Sequence, residues 1–132
     1  VFISVNEHDK RHIAFMAKRL QDLGFRIYAT KGTAKVLRSS GVATVIVDKT
    51  GEGEHNILTL LDKNEIHLII NTPSGKKSQS DMRRIRAASI REAIPCITTL
   101  QGAWAAVNGI EAGLKEGFTV ESLQSYYSRS AS

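Results

Sequence analysis

Apolar residues fall along the chain in two alternating rhythms. Residues 1–5, Val-Phe-Ile-Ser-Val, form a run of strand formers that ends in a polar stretch. Ile13, Met16, Ala17, Leu20 and Leu23 then recur at three- and four-residue spacing, which predicts an amphipathic helix of about four turns stopped by Gly24. Residues 25–29 read as a second strand, and 30–33 (Thr-Lys-Gly-Thr) as a tight loop. A short helix carrying Ala34, Val36 and Leu37 follows and closes at Gly41. A third, β-branched strand spans 43–47, and a polar loop spans 49–55. Asn56 caps a short helix with Ile57, Leu60 and Leu61. A fourth strand covers 66–70 and includes His67. After a loop over 71–80, Asp81 caps a basic helix that runs through Ala93. Residues 95–98 make a fifth strand. Ala103, Ala106, Val107 and Ile110 share a face of the next helix, and a weak helix over 120–127 precedes a Ser-rich end.

Strand and helix alternate throughout, with no internal repeat and no linker. That order predicts one domain over residues 1–132: a three-layer, doubly wound α/β fold, Rossmann-like or flavodoxin-like, with a five-stranded parallel sheet. In such sheets ligands bind beyond the carboxyl ends of the strands, where the strand order reverses. The loops at that edge are 4–10, 30–33, 49–55, 71–77 and 98–101, and polar and glycine residues concentrate there. The 30–33 loop joins a strand to a helix N-terminus, and its hydroxyls, glycine and N–H groups suit a phosphate. Ser74, Gly75, Lys76 and Lys77 repeat that chemistry with more charge. Lys10 and Lys49 reach the same edge from other loops.

Charge narrows the partners without changing the fold. The formal net charge is +5 in 132 residues, with 6% aromatics. That favours small anions or an acidic protein surface over nucleic acid. No apolar run approaches the roughly 20 residues of a membrane span, and no signal peptide is visible. Cys96 is the lone cysteine, so no internal disulfide forms. A reducing, cytoplasmic setting fits. The chain opens directly on a strand with no initiator Met, as a domain excised from a longer polypeptide would. His8 and His12 stand four apart without a third metal ligand nearby. His55 lies beside Glu52 and Glu54, where an acid/base pair is conceivable. No nucleophile elbow, Walker-type loop or dinucleotide fingerprint occurs. The arginines 83, 84, 86 and 91 spread around a solvated helix face, and Trp104 is expected to pack on the sheet.

One ordered series of motifs runs through these loops: Ser4-Val5 with Asp9-Lys10, Ala29 to Ala34, Asp48-Lys49 with Glu52-Gly53, Ile70 to Gly75, Arg83-Arg84 with Ala87, and Thr98 to Leu100. It resembles the methylglyoxal-synthase-like domain family, in the form that ends the large subunit of carbamoyl-phosphate synthetases. The resemblance implies a regulatory domain that is not itself a catalyst and carries no cofactor. It implies UMP or IMP as effector, with ornithine sensed at the boundary to the synthetase body. Lys10, Thr30 and Thr33 would hold the phosphate, and Ser4, Lys31, Gly32, Lys49, Asn71, Ser74 and Gly75 would complete the site. Thr98 matches an ornithine-side position, whereas Cys96 and Ile97 depart from the family's Tyr and Asp, and Pro73 replaces a Thr. The implied partners are the rest of the large subunit and its glutaminase small subunit, in an enzyme that uses ATP with Mg or Mn and serves pyrimidine and arginine biosynthesis.

Other readings predict different chemistry. Methylglyoxal synthase is a phosphate lyase of the same family. Its catalytic aspartate falls on Glu54, a second aspartate on Asn71, and two histidines on Asn6 and Ser78, with only Asp81 retained. Exchanging Asp for Glu moves the carboxylate by more than about 1 Å, which alone can cost about 10²-fold in rate. The IMP cyclohydrolase domain shares the early motifs but departs after the third strand. N-acetylglutamate is the effector of ammonia-dependent synthetases, with Trp104 and Lys31 as candidate contacts. A pure interaction module, docking its basic helix on an acidic protein, predicts no small-molecule affinity.

Overall fold

The computed structural model describes residues 1–47, 56–63, 65–72 and 79–115. Their elements alternate as expected: β1 (Phe2–Ser4), α1 (Lys10–Asp22), β2 (Ile27–Ala29), α2 (Lys31–Ser39), β3 (Thr44–Ile46), α3 (Ile57–Asp62), β4 (Ile69–Asn71), α4 (Gln79–Arg91), β5 (Cys96–Ile97) and α5 (Leu100–Lys115). The strands form one five-stranded sheet in the order β3-β2-β1-β4-β5, with every pairing parallel. β1 is central, so the chain winds outward on one side through β2 and β3 and on the other through β4 and β5. The reversal falls between β1 and β4, where Ser4 stands in register with Asn71.

Strand alternation sends neighbouring side chains to opposite faces. Val1, Ile3, Val5, Ile27, Ala29 and Ile70 face a core closed by α1, α2 and α5, through residues such as Ile13, Met16, Leu20, Leu37, Ala103 and Val107. Phe2, Tyr28 and Ile69 face the other side, where Ile57, Leu60 and Leu61 of α3 and Ile85 and Ala88 of α4 cover them. The two helical layers around one sheet complete the three-layer architecture. The expectation of packing at Trp104 holds: its half-buried ring lies against the first core, with the Arg19 guanidinium 5.6 Å from the ring centroid.

Local chemistry sets the element ends. Gly24 and Gly41 take φ of +105° and +86°, the left-handed region that an L side chain rarely adopts, and so terminate α1 and α2. Asn56 caps α3, its Oδ1 accepting from the Thr59 amide at 2.8 Å. Several boundaries differ from the sequence expectation. The stretch 30–33 is not a free loop: Thr30 is the N-cap of α2, with ψ of 159°, and Lys31, Gly32 and Thr33 form its first turn. α4 begins at Gln79, ahead of Asp81. Asn71 ends β4 instead of opening a loop, while His67 precedes the strand and is exposed. The strands are two or three residues long. The expected helix over 120–127 lies outside the described residues.

Candidate functional site

The carboxyl ends of β1 and β2 open into a pocket of about 520 Å³. The expected residues Ser4, Lys10, Thr30, Lys31, Gly32 and Thr33 all line it, joined by Val5, Asn6, Glu7 and Val47. Ser4 arrives because it is the last residue of β1, and Lys10 because it opens α1. Thr30, Lys31, Gly32 and Thr33 arrive together as the cap and first turn of α2.

Three hydroxyls meet in this pocket. Thr30 Oγ1 stands 3.4 Å from both Ser4 Oγ and Thr33 Oγ1. Thr33 Oγ1 accepts from the Val5 amide, also at 3.4 Å. These contacts are at the long limit for hydroxyl bonds, so the trio keeps capacity to donate elsewhere. Ser4 and Thr33 are buried while Thr30 is half-buried, which fixes the inner hydroxyls and leaves the outer one at the mouth. Thr30 makes no side-chain cap to α2, so the first-turn N–H groups receive no hydroxyl from it. A helix N-terminus of this kind carries partial positive charge and favours an anion.

Lys10 brings the full positive charge. Its side chain is only 14% exposed and pairs with the carboxylate of Glu7. Its ammonium lies against Gly32, where a Cβ would sit 3.1 Å from Nζ. The glycine therefore makes room for the lysine, which brings the ammonium onto the first turn of α2. The loop from β1 to α1 is held in shape by Asn6, whose Oδ1 accepts from the Asp9 amide at 2.8 Å. The Asn6 amide in turn donates to Thr72 Oγ1 at 3.0 Å, and the Thr72 amide donates to the Ser4 carbonyl at 3.1 Å. Thr72, buried just past β4, thus ties the two diverging loops together at the switch point.

Two further expected residues, Asn71 and Thr98, fall outside this lining. Asn71 is buried at the end of β4 beside Ser4, next to the pocket but outside its lining. Thr98 follows β5 at the sheet edge, with β4 between it and β1, and does not join the pocket. Lys49, Ser74 and Gly75 lie outside the described residues, as do Glu54, His55 and Ser78. Among the described residues no group of His, Cys, Asp or Glu is arranged to hold a metal ion. No helix there is long and apolar enough to cross a membrane. Burial pushes the Cys96 thiol pKa up, against the opposing pull of Arg86, so the thiol stays protonated near neutral pH. Sequence reasoning passed over Glu7 and Thr72. The i, i+3 spacing of Glu7 and Lys10 was the available signal for the first. Thr72 depends on a contact between distant strands that no local pattern carries.

Comparison with known proteins gives a consistent result. Residues 12–98 match the MGS-like domain family. A carbamoyl phosphate synthase large chain, C-terminal section, from Methanocaldococcus jannaschii is 55% identical over 113 residues, which is 85% of this chain and 18% of that protein. The carbamoyl phosphate synthase large chains of Rubrobacter xylanophilus and Acidobacterium capsulatum are 44% and 47% identical, covering 96% and 94% of this chain. The chain spans only 12% and 11% of those two proteins.

Proposed function

From the premise that the chain belongs to the MGS-like domain family and is closely related to the C-terminal region of carbamoyl phosphate synthase large chains, we propose that it is an allosteric effector-binding domain of such a synthase. The effector is a nucleoside monophosphate, UMP or IMP, anchored by its phosphate. One observation carries this reading: a little-exposed lysine, three hydroxyls and the uncapped first turn of a helix converge on one pocket. Phosphate oxygens accept from Lys10 Nζ, from the Thr30 and Thr33 hydroxyls and from the first-turn amides of α2. The nucleoside extends over the β1–β4 switch point toward Asn71, with Lys49, Ser74 and Gly75 completing its surroundings.

Regulation follows if two states of the whole enzyme bind the effector unequally, with couplings of about 1–3 kcal/mol. A bound phosphate would tie α2 to the start of α1 through Lys10. The surface that passes this on is α4 together with the β5 region. α4 exposes Arg83, Arg84 and Arg86, with Ile90 exposed near its C-terminal end, a basic surface suited to an acidic surface of the synthetase body. The ATP- and metal-dependent synthesis and the glutaminase partner belong to that larger assembly. Ornithine contact at Thr98 is a separate proposal, since that residue lies away from the phosphate pocket. The lyase reading gains no support at Asn6, which stands where a histidine would act and instead shapes the β1–α1 loop.

Calorimetric titration of the chain with UMP, IMP, uridine, inosine and ornithine tests the proposal. Saturable binding of a monophosphate, with the matching nucleoside failing to bind, is the expected result. Equal affinity for nucleotide and nucleoside would remove the phosphate from the account.

A further inference from the structure

The cation at the heart of the pocket is already engaged. Glu7 and Lys10 form an ion pair three residues apart, at the entrance to α1. Their settings are unequal: the lysine side chain is 14% exposed, the glutamate 88%. The ammonium lies close against Gly32, on the first turn of α2. The carboxylate is almost wholly in water. Glu7, Lys10 and Gly32 also line the adjoining groove of about 880 Å³ between α1 and α2, together with Arg11, Lys18 and Lys35.

We propose that Glu7 is a built-in competitor of the anionic ligand, a carboxylate that occupies Lys10 and that a phosphate must displace. The inference rests on the phosphate reading of the pocket. The pair links the loop before α1 to the first residue of that helix, three positions apart, so it ties no distant parts of the fold together, and its geometric consequence is to set an oxygen anion on Lys10 Nζ. A phosphate dianion carries more charge than a carboxylate and replaces it at the ammonium. The displaced carboxylate stays in a groove whose other charged residues, Arg11, Lys18 and Lys35, are all cations, which lowers the cost of letting go. Glu7 thereby raises the ligand concentration at which the site fills, without touching the ligand itself.

The test is calorimetric titration of the chain, Glu7→Gln and Asp9→Asn with inorganic phosphate at neutral pH and constant ionic strength. Asp9→Asn removes the same charge from the same loop while leaving the Glu7–Lys10 pair in place. Glu7→Gln is expected to bind phosphate about two- to fivefold tighter than the parent, the scale on which an exposed ion pair contributes. Asp9→Asn is expected to show a smaller gain. Unchanged or weaker binding in Glu7→Gln, or an equal gain in Asp9→Asn, would overturn the competitor role while the phosphate site stands. Failure of both the parent and Glu7→Gln to bind phosphate would overturn the site reading, and this inference with it.

Discussion

Gly32 separates stability from binding at the scale of one residue. An added Cβ would meet the flexible end of Lys10 and no backbone, so the collision is relieved by moving the ammonium. Alanine also has the better helix propensity, by up to about 1 kcal/mol. Gly32→Ala is therefore expected to hold or slightly raise the melting temperature while weakening phosphate binding, a split read by thermal denaturation and calorimetry on the same sample. Thr33→Val keeps the shape and removes the hydroxyl. Its bond from the Val5 amide is long, at 3.4 Å, so the loss should appear in ligand affinity, by about 1.5–3 kcal/mol for a charge-assisted bond. Ser4, Lys10, Thr30 and Thr33 were readable in the sequence because each sits at a strand end or helix start that the hydrophobic rhythm marks. Val5 and Val47 also line the pocket, but their rhythm shows them only as strand residues.

Among the elements, the helix ends show what a pattern can and cannot reveal. Gly24, Gly41 and Asn56 announce their stops and caps by residue type. α4 ends at Arg91, and two residues on Ala93 has a φ of 56°, which places a non-glycine residue in the left-handed region. The turn is held by the Ile94 amide donating to the Ser89 carbonyl at 2.7 Å. Nothing in the residue type signals that end. Left-handed backbone costs a non-glycine residue roughly 1–2 kcal/mol, partly offset in the unfolded chain when glycine replaces it. Ala93→Gly should therefore stabilise the domain by about 0.5–1 kcal/mol, seen as a shifted denaturant midpoint with an unchanged slope. The start of α2 differs from the sequence expectation for a related reason. Thr, Gly and Thr favour loops by propensity, yet a helix accepts them in its first turn, where the amides have no intrahelical partner to lose.

Across the whole molecule, alternation of strand and helix implied five parallel strands between helical layers, and the sheet is built that way. The central place of β1 was not readable, because it depends on Ser4 meeting Asn71 across 67 positions. The same holds for the clamp between α1 and α5, where Arg19 pairs with Glu111 and stacks over Trp104. The Arg19 guanidinium holds the Glu111 carboxyl below its ordinary 4.5, with Lys115 adding to the effect. A carboxyl depressed in the folded state contributes stability that is complete above its unfolded value and fades as pH falls through the folded one. Glu111→Gln should thus lower the melting temperature at neutral pH, and the gap to the parent should close well below pH 4.5. A gap that stays constant with pH would mean that the clamp acts by packing alone.

Lys10 is the proposed anchor of a phosphate-bearing effector. Calorimetric titration of UMP and IMP into the parent chain and Lys10→Ala tests it most directly. The predicted result is saturable binding of a nucleotide to the parent and a loss of about ten- to hundredfold in the variant, matching one charge-assisted hydrogen bond. Equal affinity in the two proteins, or no nucleotide bound by either, would contradict it.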